Sequence, residues 1–264
     1  MTAAPLLSSM VDIEAGGPID TLTATEVTFK DGSIVLTDSL LSAHALDTPP
    51  RLVLDAYPRK KAGKYARKHD EQQLACASFD QAKAAAAAIN KALQPAADPA
   101  KKILVLINPF GGGGVAPSRW KKLHALVKPA GLTLEVIDTT HASHARELMA
   151  TLPIDDYHAI CTVSGDGLVY EVINGLLSRD DGREAVQKLP LSPAPGGTGN
   201  GLFASICHKA GEPIDIIGAA FLLVKGKPTP LDLWEYVRPA TAEVSKANVI
   251  HTCSWPQLTS RFFC

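Results

Sequence analysis

Three apolar runs in the second half of the sequence each end in a glycine-rich turn, and that recurrence leaves few folds open. Ile103 to Ile107 runs into Asn108-Pro109-Phe110-Gly111-Gly112-Gly113-Gly114, and Ala159 to Val163 into Ser164-Gly165-Asp166-Gly167. Leu191 to Ala194 runs into Pro195-Gly196-Gly197-Thr198-Gly199-Asn200-Gly201. Helical patterns stand between and after them at Ser118–Val127, Ser143–Leu152, Leu168–Leu177, Leu202–His208 and Ile214–Val224. Further strand-like segments lie at Leu132–Ile137, Leu231–Val237 and Ala247–Thr252. Strand and helix in alternation predict an α/β fold, a parallel sheet with helices on both faces. In such a sheet the turns at the carboxyl ends of neighbouring strands meet in one crevice.

The turns themselves suggest what the crevice holds. Glycines on both sides of Asp166 let the backbone approach a ligand closely, and the helix that follows offers unpaired N–H groups to an anion. An ordinary strand-to-helix turn with Asp166 as a cap is the plainer alternative. No G-x-x-x-x-G-K-[ST] loop is present, and no turn completes G-x-G-x-x-G, so the readings as a common mononucleotide or dinucleotide loop are weak. What remains is a site whose backbone N–H groups and Thr198 hydroxyl hold phosphates. Asp166 is there to accept a proton or to approach a metal ion through a water, a set sufficient for phosphoryl transfer.

The first half reads differently. Residues 1–21 lack a steady period and read as a loose arm. Residues 22–94 read as a small β-rich module: Val27 and Phe29 alternate with polar neighbours, Asp31-Gly32 marks a hairpin, and Ile34–Leu36 and Leu52–Leu54 follow. Asp80 to Leu93, with alanines at 84–88, is a helix by propensity, and Phe79, Ile89 and Leu93 give it a sparse apolar side. Strands closed by one helix suggest a pleckstrin-homology-like arrangement. Arg59, Lys60, Lys61, Lys64, Arg67 and Lys68, interleaved with Tyr57 and Tyr65, form a solvated hairpin loop or a surface for anionic headgroups. Gln94 to Lys102, with Pro95 and Pro99, is the linker.

At 264 residues and 46% hydrophobic, the chain can bury a sizeable core. A net charge of -1 gives no basis for nucleic-acid binding. Five widely spaced cysteines without a C-x-x-C pair suggest neither a disulfide framework nor a zinc site, which fits a cytoplasmic protein. Neither a secretion signal nor a membrane span is expected. Cys161 and Cys207 read as packing groups, and Trp120, Trp234 and Trp255 as packing anchors.

N-P-F-G-G at Asn108–Gly112, S-G-D-G-x-x-x-E at Ser164–Glu171 and P-G-G-T-G-N at Pro195–Asn200 together resemble the diacylglycerol-kinase-type catalytic domain. Within that group the sequence is most similar to sphingosine (long-chain-base) kinases. His144-Ala145-Arg146-Glu147, Glu171-Val172-Ile173-Asn174-Gly175-Leu176 and Asp215 ahead of an apolar helix match as well. The resemblance spans about Lys101 to Trp234. It implies an NAD-kinase/diacylglycerol-kinase-like nucleotide-binding domain at 101–237, carrying ATP and Mg2+ and phosphorylating the primary hydroxyl of a sphingoid base at a membrane it meets peripherally. Asp166 would be the general base. Asn108, Gly111, Gly112, Thr139, Gly165, Gly167, Glu171, Gly197, Thr198 and Gly199 would line the ATP site. Asp215 would meet the lipid's ammonium group, which a fixed carboxylate suits; read alone, Asp215 is equally a helix N-terminal acid. Ceramide kinase, diacylglycerol kinase and an ATP-binding fragment without activity are the alternatives.

The resemblance has two departures. The family's first loop often carries Lys where this chain has Gly113. Residues 238–264 do not resemble the family's continuation and are expected to be an atypical, truncated end. His144, Arg146 and Glu147 are open to two readings, a solvated helix face or an Arg146 that reaches a phosphate.

Overall fold

The computed structural model describes residues 17–23, 25–32, 34–60, 66–93, 101–233 and 259–263. The chain divides into two compact units, Met1–Ala96 with Leu126–Gly131, and Ala97–Ala125 with Leu132–Cys264. Residues 1–16 of the arm expected at 1–21, Lys61, Lys64 and Tyr65 of the basic cluster, most of the linker, the strand expected at Ala247–Thr252, Trp234 and Trp255 lie outside the described residues.

The first unit holds two three-stranded antiparallel sheets and one helix. β1 (Ile19–Leu22), β2 (Glu26–Phe29) and β3 (Ile34–Leu36) form one sheet in that order. β4 (Leu40–Leu46), β5 (Arg51–Ala56) and β6 (Asp70–Ala75) form the other. Their core is Ile19, Val27, Phe29, Leu40, Leu52 and Leu54, closed by Ala85, Ala86, Ile89 and Leu93 of α1 (Phe79–Leu93). Phe79 departs from the expected apolar side and is 37% exposed, because it sits at the helix start beyond the sheet-facing stripe. Asn90 fixes α1 to β4: its Oδ1 accepts from Ala43 N at 2.8 Å and its Nδ2 donates to Ala43 O at 2.8 Å. Arg59 and Arg67 of the basic cluster form an antiparallel bridge between β5 and β6. Arg67 is buried and donates to Tyr57 O at 2.9 Å and Asp38 O at 3.2 Å, so at least this cation serves the fold.

The second unit is built on a six-stranded sheet. Its strands are β7 (Lys102–Ile107), β8 (Leu134–Asp138), β9 (Tyr157–Ser164), β10 (Leu191–Pro195), β11 (Pro228–Asp232) and β12 (Thr259–Phe263), in the order β11-β12-β10-β9-β7-β8. β8, β7, β9, β10 and β12 run parallel, and β11 is antiparallel to β12. The helices are α2 (Ala116–Val127), α3 (His144–Thr151), α4 (Asp166–Leu177), α5 (Gly182–Lys188), α6 (Gly201–Ala210) and α7 (Ile216–Lys225). β7, β9 and β10 are almost wholly buried, as expected of parallel strands covered on both faces. Several elements differ from the sequence reading: residues 19–21 of the expected loose arm belong to β1, and β6 and α5 stand where no element was expected. α4 begins at Asp166 rather than Leu168, the strand expected at Leu231–Val237 is β11 and starts at Pro228, and Thr259–Phe263 of the expected atypical tail is a sheet strand.

No helix among the described residues is long and apolar enough to cross a membrane.

Candidate functional site

Register brings the three glycine turns to one level. Ile107 pairs with Val163, and Pro195 with Ser164, so β7, β9 and β10 end together. The ladder continues into the turns: Asn108 N donates to Val163 O at 3.3 Å, and Gly196 N to Ser164 O at 3.0 Å. On the other side of β7, Thr139 N donates to Ile107 O at 2.7 Å, which places the buried Thr139 just past the end of β8.

Beyond the strands the turns touch backbone to backbone. Gly112 has φ +59°, and a Cβ there would stand 2.8 Å from Gly197 Cα and 2.9 Å from Gly196 O. A Cβ on Gly197 would collide with the N and Cα of Gly165, and one on Gly165 would stand 2.6 Å from Gly199 O. The first turn therefore lies on the third and the third on the second, at distances that only glycine permits. Gly111 faces the Ser164 hydroxyl, its Cβ position 3.0 Å from Oγ. Asn108 closes the first turn, its Oδ1 accepting from Phe110 N at 3.0 Å and Gly111 N at 3.1 Å.

Asp166 opens α4, and its carboxylate reaches across to the next helix. Oδ2 accepts from Gly201 N at 2.8 Å and Oδ1 from Leu202 N at 3.1 Å, while Asp166 N donates to Gly199 O at 3.0 Å. It thus caps α6, whose preceding residue Asn200 makes no capping bond. The Asn200 carboxamide instead braces the third turn, Nδ2 donating to Gly197 O at 2.7 Å and Oδ1 accepting from Gly197 N at 3.3 Å. The sequence reading missed these roles for Asn200 and Gly201. An Asn followed by Gly at a helix start was the available signal.

Gly167, Thr198 and Gly199 are exposed beside Asp166. Glu171 lies further along α4, and its Oε2 is buried without a hydrogen-bond partner. That orphaned oxygen is the local feature that calls for an outside donor or cation. Asp215 lies on another element, exposed at the N-cap of α7, where Oδ1 accepts from Ile217 N at 2.8 Å and Gly218 N at 3.1 Å.

The flanking residues are largely structural. His144 Nδ1 accepts from Thr140 N at 3.1 Å, and its ring stacks on His141 at 4.9 Å. The Arg146 backbone packs on α4, a Cβ at Gly175 standing 2.5 Å from Arg146 O. Burial pushes the Cys161 thiol in β9 up to about 12, the behaviour of a packing group rather than a nucleophile. Trp120 is half-buried and stacks on His124 at 5.3 Å. Phe110, at the tip of the first turn, is 76% exposed.

The profile of the diacylglycerol kinase catalytic domain matches residues 102–236. Among curated proteins, sphingosine kinase 2 of Homo sapiens is 44% identical over 139 residues, covering 50% of this chain and 21% of that protein. Sphingosine kinase 1 of Arabidopsis thaliana is 37% identical over 134 residues, covering 50% of this chain and 27% of that protein. The chain thus spans under a third of the length of these relatives. A solved structure described as a putative diacylglycerol kinase from Bacillus anthracis is 26% identical, with a TM-score of 0.41 over 50% of this chain and 45% of that one.

Proposed function

The chain belongs to the diacylglycerol kinase catalytic domain family, and from that premise we propose that it is a lipid kinase that moves the γ-phosphoryl group of ATP to the primary hydroxyl of a sphingoid base. The observation that carries the reading is the backbone contact of Gly112, Gly197 and Gly165, which joins the three turns into one surface at the strand ends, next to the helix N-termini that favour a polyphosphate. Mg-ATP fits this surface on two counts, the close-approach glycines and the unpartnered Oε2 of Glu171. Asn108, Gly111, Gly112, Thr139, Gly165, Gly167, Gly197, Thr198 and Gly199 would line the nucleotide, and Glu171 would face its magnesium or a hydroxyl. Mg2+ supplies charge neutralisation on the phosphate oxygens. Asp166 takes the proton of the lipid hydroxyl as that oxygen bonds to the γ-phosphorus and the bond to the β-phosphate oxygen breaks, leaving ADP. The choice of a sphingoid base rests on the likeness to sphingosine kinases and on Asp215, whose exposed carboxylate suits an ammonium group. A peripheral, transient meeting with the membrane follows from such a substrate.

One observation favours a second reading, a nucleotide-binding unit without turnover. The Asp166 carboxylate already accepts two backbone N–H bonds, so one acceptor site on each oxygen is committed to capping α6 rather than to a substrate proton. An assay with labelled ATP and either sphinganine or diacylglycerol, run beside calorimetry with Mg-ATP, separates the readings. Product from sphinganine alone supports the kinase proposal, and ATP binding with neither product supports the second. No ATP binding by a folded chain sinks both.

A further inference from the structure

We propose that the β4–β5–β6 sheet, on the face that carries Ser42 and Val53, holds a divalent transition-metal ion, best Zn2+, between Asp55, His69 and Glu71. This site lies in the first unit and is independent of the kinase reading. Each of the three side chains offers a ligand atom, and these atoms lie within 4.8 Å of one another. Zinc bound at about 2.0–2.2 Å to oxygen and nitrogen needs its ligands closer than that, by roughly an ångström. His69 and Glu71 are exposed enough to turn inward by that amount, whereas Asp55 is held.

Both carboxylates are held by neighbouring side chains, as metal ligands usually are. Asp55 Oδ2 accepts from Ser42 Oγ at 2.9 Å and lies 3.2 Å from His44 Nδ1, while Asp55 Oδ1 faces His69 Nε2 at 3.7 Å. Gln73 Nε2 donates to Glu71 Oε1 at 2.7 Å. The Tyr57 ring lies against His69, centroids 4.8 Å apart, and limits its swing. A cation is wanted here because Asp55 and Glu71 are direct cross-strand partners, and like charges in that relation repel. Among the described residues no Lys or Arg is ion-paired with either; Asp55 is paired only with the imidazoles of His44 and His69. The imidazole nitrogen selects the metal class. Two carboxylates alone suit Mg2+ or Ca2+, whereas an added imidazole favours the later first-row ions. The sequence concealed the site because its ligands come from β5, from β6, which is too polar to read as a strand, and from His69 just before β6.

The test is calorimetric titration of the full chain, stripped with chelator, with ZnCl2, MgCl2 and CaCl2. One zinc per chain is expected, bound at least tenfold more tightly than magnesium or calcium. His69→Ala and Glu71→Gln should each weaken zinc tenfold or more, and His124→Ala, remote in sequence, should leave it unchanged. Anomalous scattering at the zinc edge from crystals of the unsubstituted chain locates the ion without relying on any variant's folding. The proposal is overturned by an absence of zinc binding, by equal binding of magnesium or calcium, by affinity that survives His69→Ala and Glu71→Gln, or by an ion located elsewhere.

Discussion

Asp166 combines a structural duty with a proposed chemical one, and substitution touches both. Because its two oxygens each accept an N–H from α6, Asp166→Asn must present its NH2 to one of those donors. The lost cap costs about 1 kcal/mol, so a modest fall in thermal midpoint accompanies the expected loss of turnover by about 10²–10⁴-fold. Mg-ATP affinity should change little, and a variant that keeps full turnover refutes the general-base role. The glycines allow a cleaner contrast. Gly197→Ala drives a Cβ into the backbone of Gly165, where no flexible side chain can yield, and should destabilise the chain by about 1–3 kcal/mol while weakening nucleotide binding. Gly167 has open space around its Cβ position and stands in the first turn of α4, so Gly167→Ala should be neutral or stabilise by up to about 1 kcal/mol. Urea midpoints measure both, and equal effects would contradict the close-contact account.

At the scale of elements, side-chain clamps do much of what the strand pattern cannot. The Asn90 carboxamide bonds both backbone groups of Ala43, a buried residue beside an irregularity in the β4–β5 register. Asn90→Leu leaves that N–H and C=O without partners, a loss of about 2–4 kcal/mol in urea unfolding; a loss under half that would show water replacing the clamp. Arg179 acts similarly, donating to Met149 O at 3.2 Å and Leu152 O at 2.9 Å at the end of α3 while pairing with Asp181. Neither clamp is legible in sequence, since each joins residues tens of positions apart. The buried parallel strands were legible as apolar runs, and the glycine turns as their ends. β6 was not, because Asp-Glu-Gln-Gln-Leu-Ala buries little and takes its strand character from pairing along β5. α5 was missed because it is short and polar. The start of α4 was set two residues late because Asp166 and Gly167, residues typical of turns, occupy its first turn. The convergence of the turns could be inferred from alternation, but the engagement of Asp166 with α6 could not, since it depends on where the third turn folds back.

At the scale of the whole molecule, two buried acids point to one response to pH. Tyr57, in the first unit, is pushed from 10.0 to about 12 by burial and then by the nearby Asp55 charge. Cys161, in the second, is pushed from 9.0 to about 12 by burial alone. Both are neutral acids kept protonated by the fold, so the unfolded chain releases their protons first as pH rises. Between the unfolded and folded values the unfolded state binds fewer protons, and stability falls with increasing pH. The contribution is fully present below about pH 9 and is lost progressively toward about pH 12. Urea midpoints followed from about pH 8 to about pH 11 should decline, the thiol acting first and the phenol about one pH unit later. Cys161→Val should flatten the earlier part of the decline, because valine fills the buried position without an ionisable group. Tyr57→Phe should flatten the later part. A decline unchanged in both variants would mean that other groups, not these two buried acids, govern alkaline unfolding.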